Sequence, residues 1–142
     1  MEPKTILVPI SGNGADEEAI RLACSLVGKR KAKIYVVYII EVDRSLPIDS
    51  PADAELEKSE QILTRAEDIA GDIGYDIETD LLQAREAGPG IVDEAMEREV
   101  DLIVMGVGYK MHFGEFDLGK AIPYVLKEAP CRVLLYREQK AS

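Results

Sequence analysis

Seven consecutive apolar residues, Ile34 to Ile40, form the longest such run in the chain, and a shorter one, Ile6-Leu7-Val8-Pro9-Ile10, lies near its start. Short unbroken runs of this kind suit strands covered on both faces, whereas a helix crossing a bilayer needs roughly 20 apolar residues. Beyond Ile10 the period changes. Ser11-Gly12-Asn13-Gly14 makes a turn, Asp16-Glu17-Glu18 open a helix with carboxylates at its positive end, and Ala19, Ala23 and Leu26 recur at i, i+4, i+7 as a buried stripe. Gly28 and the basic run Lys29-Arg30-Lys31 suit the end of that helix.

The alternation continues along the chain. A polar connection from about Glu41 to Asp53, with Pro47 and Pro51, is either a mobile lid or a surface loop. Leu56, Leu63, Ala66, Ala70 and Ile73 then recur at helical spacing up to Gly74, and Tyr75 to Leu82 alternates charged and apolar residues like a half-exposed edge strand. A short helix from about Pro89 to Glu99 carries Ile91, Val92, Ala95 and Met96 inward. Leu102 to Met105 reads as a buried strand, Gly106 to Gly119 as a glycine-bearing loop, the stretch with Ile122, Val125 and Leu126 as a helix, and Val133 to Tyr136 as a last strand. Five strands alternating with four helices predict right-handed crossovers and one doubly wound, Rossmann-like α/β sheet, parallel throughout, with helices on both faces. Residues 1–142 are expected to form a single domain.

At this length, 46% hydrophobic residues supply a core without disulfides or a structural metal. The balance of 27 acidic against 17 basic side chains, a formal net charge of -10, argues against nucleic acid and anionic membrane surfaces, which both draw affinity from Lys and Arg. The excess is local: residues 41–101 hold 19 acids and 5 bases, and the flanks together hold 8 acids and 12 bases. Without a signal-peptide pattern or a membrane span, the expected location is the cytoplasm. Cys24 and Cys131 form no Cys-x-x-Cys or His-Cys group and read as small buried hydrophobes in a reducing compartment.

In a doubly wound sheet the ligand crevice lies beyond the carboxyl ends of the strands, where the winding reverses. If strands one and four are neighbours, that crevice falls between Ser11-Gly12-Asn13-Gly14 and Gly106-Val107-Gly108-Tyr109. Two phosphate-binding patterns fail there. Gly106-Val107-Gly108 begins a dinucleotide fingerprint but meets Met111 at its last glycine, and Gly114 to Ala121 matches a P-loop until Ala121 replaces the magnesium-binding hydroxyl residue. His112, the sole histidine, reads as a loop residue, and the carboxylates read as solvation, so no catalytic or metal-ligating set is assigned. Tyr109, Met111, His112, Phe113 and Phe116 make the loop bulky, as a lid over a ligand or a plug over an empty crevice, the plug being favoured.

The opening Ile6 to Ile10, the segment Asp101-Leu-Ile-Val-Met-Gly106, the helix ending Tyr124-Val-Leu-Lys and the junction Ala129-Pro-Cys-Arg-Val133 together resemble the universal stress protein family, over nearly the whole chain. The resemblance implies strand order 3-2-1-4-5 and commonly a homodimer, with the last strands pairing across the interface; here Val133 and Leu135 would meet their copies. It also implies a nucleotide site. Members that bind ATP carry Gly-x-x-Gly, nine residues, then Gly and Ser or Thr, with an Asp just after the first strand. This chain keeps Gly106 and Gly119 at that separation, but has Tyr109 for the middle glycine, Lys120 for the hydroxyl residue, with Ala121 next to it, and Ser11 for the aspartate. Pro9, Ile39 and Met105 match the apolar wall of the adenine pocket. The apolar half of a site for ATP or AMP thus persists while its polar half is rewritten.

The resemblance supports three readings. The leading one is a regulatory or interaction module with weak or absent ATP affinity. The second is a nucleotide-binding member that uses Lys120 for phosphate, with slow hydrolysis left open. The third is an accessory function beside a membrane transporter.

Overall fold

The structure, a computed structural model, describes residues 2–12, 14–49, 53–108 and 118–139. Five parallel strands form one sheet in the order β3-β2-β1-β4-β5: β1 Thr5–Ile10, β2 Lys33–Glu41, β3 Glu78–Ala84, β4 Leu102–Val107 and β5 Arg132–Arg137. The crossovers are α1 Ala15–Val27, α2 Asp53–Asp72, α3 Ala87–Glu97 and α4 Ile122–Glu128, the last preceded by a single 3-10 turn, Leu118–Lys120. The strand order and parallel sense are those expected, because β1 and β2 are apolar at every inner position and need cover on both sides.

That cover divides the core in two. On one face Ile6, Val8 and Ile10 of β1, Val36 and Ile40 of β2 and Val104 of β4 pack under α1 and α2. On the other, Leu7, Val37, Ile39, Ile103 and Met105 pack under α3 and α4. Consecutive residues of one strand therefore serve opposite layers, and truncating Leu7 or Ile103, both fully buried, to Ala would cost about 2–5 kcal/mol.

Some expectations shift. The third helix begins at Ala87, two residues before Pro89, and Met96 is 60% exposed rather than inward. The buried face of α3 is turned toward Glu94 instead, which is 8% exposed and whose carboxylate accepts a hydrogen bond from the Nε of Arg98. Arg98 also meets Asp80 of β3 at 2.8 Å and lies 4.2 Å from the centroid of the Tyr35 ring, so the buried charge has its partner. In α4 only Val125 is buried, and Leu126 is exposed. The third strand starts at Glu78 and runs to Ala84, at the sheet edge as expected. Cys24 is buried, while Cys131 is only half-buried.

The connection after β2 is fastened rather than free in its described part. Arg85 Nη1 donates to the carbonyls of Asp43 at 2.6 Å and Leu46 at 2.7 Å, and the Val42 N–H donates to the Ala84 carbonyl at 2.8 Å. Residues 50–52 lie outside the described residues, as do 109–117, which hold most of the bulky glycine loop.

Candidate functional site

β1 and β4 are neighbours, so the winding reverses between them. Their register covers Ile6↔Leu102 and Leu7↔Ile103 and ends before Pro9, although β1 stays registered with β2 through Ile10. Proline has no N–H to offer a ladder, and a proline inside a central strand is tolerated where pairing on one side has stopped. Pro9 thus marks the point at which β1 and β4 part, at the carboxyl end of the sheet where ligands of doubly wound folds sit.

Around this point the structure distributes the sequence-selected residues unevenly. Ile39 and Met105 are buried in one cluster with Ala121, on the α3 and α4 side of the sheet. Gly119 and the exposed Lys120 occupy the 3-10 turn ahead of α4. Tyr109 lies outside the described residues. Ser11 is buried at the end of β1, and its backbone N–H donates to Asp16 Oδ1 at 3.0 Å, while the Gly12 N–H donates to Asp16 Oδ2 at 2.7 Å.

Gly106 has a packing task. It is the fifth residue of β4, and a Cβ there would stand 2.8 Å from the Ala15 carbonyl oxygen and 3.2 Å from the Ala19 Cβ. Its missing side chain lets α1 close on the sheet, on the face opposite Met105.

A cavity of about 200 Å³ opens beside the crevice, lined by Lys120, Ala121 and Tyr124 from one side and by Glu41, Glu86 and Ala87 from the other. Here the Glu41 Oε2 accepts the Ala87 N–H at 3.0 Å, so the last residue of β2 satisfies a backbone donor at the start of α3. Glu86 is paired with Arg44 at 3.6 Å, which leaves Glu41 and Lys120 as the other two charges of this lining. Neither Glu41 nor Asp16 stands out as a site residue in the sequence. Glu41 does carry a signal, a charge closing an otherwise apolar strand, and Asp16 is visible only as one of three acids in a first helical turn.

Among the described residues no group of three or more His, Cys, Asp or Glu side chains is placed to hold a metal ion, and no helix is long and apolar enough to cross a membrane.

A family model for the universal stress protein family matches residues 2–137. The chain belongs to the universal stress protein family. It is 31% identical, over 94% of its own length and 95% of the relative's, to a universal stress protein of Methanothermobacter thermautotrophicus. A universal stress protein of Methanocaldococcus jannaschii is 28% identical over 96% of this chain and 84% of that one. In three dimensions it is similar to the universal stress protein of Archaeoglobus fulgidus in complex with dAMP, with a TM-score of 0.72 at 23% identity over 95% of this chain and 98% of the other. At that identity the likeness is one of fold, and it agrees with the sheet order found here.

Proposed function

We propose that this universal stress protein is a cytoplasmic module that acts by binding a partner, and that it holds magnesium-ATP weakly or not at all. The observation that carries the reading is that two of the chain's own carboxylates already occupy backbone donors at the carboxyl end of the sheet: Asp16 on Ser11 and Gly12, and Glu41 on Ala87. A polyphosphate would have to displace them or approach them. A like unit charge at about 4 Å costs about 1 kcal/mol in water and about 4 kcal/mol near a protein surface.

The substitutions in the glycine pattern act in the same direction. Tyr109 puts a side chain where the pattern expects close backbone approach, Lys120 lacks the hydroxyl, and Ser11 lacks the carboxylate. Each lost charge-assisted contact is worth roughly 1.5–3 kcal/mol, so two of them weaken binding by a factor on the order of a hundred or more. Pro9, Ile39 and Met105 keep the apolar character of a base pocket, and the dAMP complex of the Archaeoglobus fulgidus relative supports a nucleotide as the ligand class for which such a pocket is shaped.

Calorimetry with ATP, ADP and AMP, with and without magnesium, tests the reading. Little saturable heat with ATP supports it, together with a gain of affinity when Tyr109→Gly is combined with Lys120→Ser. Low-micromolar ATP binding that disappears in Lys120→Ala overturns it in favour of a nucleotide-binding member using the Lys120 ammonium.

A further inference from the structure

The other face of the sheet holds a second cavity, of about 270 Å³, between α1 and α2. Its floor is apolar: Ile10, Ile20, Ala66 and Ile69 are each no more than 5% exposed, and Ile62 stands beside them. At roughly 30 Å³ for a water-sized group, it has room for about nine of them. Its rim is polar, with Gln61, Glu17 and Arg65. An apolar chamber with a few convergent polar groups at one side is the usual form of a small-molecule site. None of the residues of the nucleotide pattern lines it, although Gly12 and Asp16, which bond each other just beyond β1, do.

The rim specifies the head group. Arg65 Nη2 bonds Glu17 Oε1 at 3.0 Å, and its side chain is 69% exposed, so the pair is weak and the guanidinium is able to turn. Glu17 has a second partner, Arg21 Nε at 3.2 Å, and does not lose its charge compensation when Arg65 moves. Arg65 therefore has donors for an incoming anion, in the planar fork that matches a carboxylate, and the Gln61 amide stands on the same rim. Asp16 is held by the Ser11 and Gly12 N–H groups and Glu17 is shared by Arg21 and Arg65, so two guanidinium groups stand against two carboxylates, a balance that admits a single negative charge more readily than a doubly charged phosphate.

We propose that the cavity between α1 and α2 binds a small amphipathic monocarboxylate, with an apolar body over Ile20, Ala66 and Ile69 and its carboxylate on Arg65. The floor of this site lies on the layer opposite Ile39 and Met105, while Asp16 and Gly12 at its mouth also border the candidate nucleotide site.

Octanoate is the probe, titrated into the full chain and monitored by amide and methyl NMR shifts, with octylammonium as the comparison. Supporting results are saturable shifts centred on Ile20, Ile62 and Ile69, affinity weaker by about tenfold or more in Arg65→Gln, and no matching shifts with octylammonium. Arg65 is exposed, so that variant leaves the core intact. Ala66→Leu, checked for folding by circular dichroism, fills the floor and should abolish the shifts. No saturable octanoate binding overturns the proposal. So do shifts centred elsewhere, equal affinity in Arg65→Gln, or equal binding of octylammonium.

Discussion

The Glu41 carboxylate accepts the Ala87 N–H at 3.0 Å across a sequence separation of 46 residues, and so β2 caps the helix that comes after β3. A charge at a helix N-terminus stabilises by about 0.3–1 kcal/mol beyond the hydrogen bond itself. Glu41→Gln keeps an acceptor and removes the charge, so the melting temperature should fall by about 1–3 °C in calorimetry. The same variant removes a negative charge from the cavity of Lys120, and any affinity for ATP should rise by about fivefold. An unchanged ATP titration would mean that Glu41 does not oppose phosphate.

Gly106→Ala should destabilise the protein by about 1–3 kcal/mol, because the nearest obstacle to the new methyl is the Ala15 backbone oxygen, which no side-chain rotation removes. Gly71→Ala is the matched control. In α2, with nothing within 4 Å of the added Cβ, it should stabilise by about 0.4–1 kcal/mol. Urea denaturation of the two variants gives opposite signs if the packing of Gly106 is as described.

The sheet edge at β5 predicts a homodimer. Leu135 is 44% exposed and Val133 is half-buried on a strand with an unpaired side, an arrangement that invites pairing with a second copy. Light scattering should give twice the chain mass at micromolar concentration, and Val133→Lys with Leu135→Lys should give the monomer. A dimer that survives the double substitution uses another face.

Alkaline pH should weaken the fold. Burial raises the pKa of Cys24 and Cys131 above the ordinary thiol value of 9.0, and with help from Glu55 and Asp16 it raises that of Tyr38 above 10.0. For Cys131, Asp101 adds to the effect of burial. The folded state thus holds these protons longer than the unfolded state. The stability they contribute is complete below the unfolded values and is lost as pH rises through the folded ones. Urea midpoints measured at about pH 8 and about pH 10.5 should fall with pH, and less steeply in Cys24→Ala.

The sheet is legible in the sequence because β1, β2 and β4 are read locally: an unbroken apolar run has few alternatives to a strand covered on both faces. Helix α3 is less so. Its start depends on Glu41, 46 residues away, and its buried face depends on Arg98 making the burial of Glu94 tolerable, so a pattern that sees only hydrophobicity places Met96 inward. At the candidate site, the family pattern names the apolar positions Ile39 and Met105 but not Asp16 or Glu41, since a carboxylate bonded to a backbone amide, 5 residues away for Asp16 and 46 for Glu41, looks the same in sequence as one in water. The same pattern expects Gly106 beside the ligand, and the structure adds a second demand on it, the close approach of α1.

The stitch that Arg98 makes to Asp80 and Glu78 gives the sheet two unlike borders. β3 carries the carboxylates Glu78 and Asp80, and β5 exposes Leu135 between Arg132 and Arg137. A copy that joins through β5 leaves only β3 borders at either end of the joined sheet, where charge resists another strand. With a dimer formed through β5, growth by edge pairing would be self-terminating, and the asymmetry that favours one companion would disfavour a fibre.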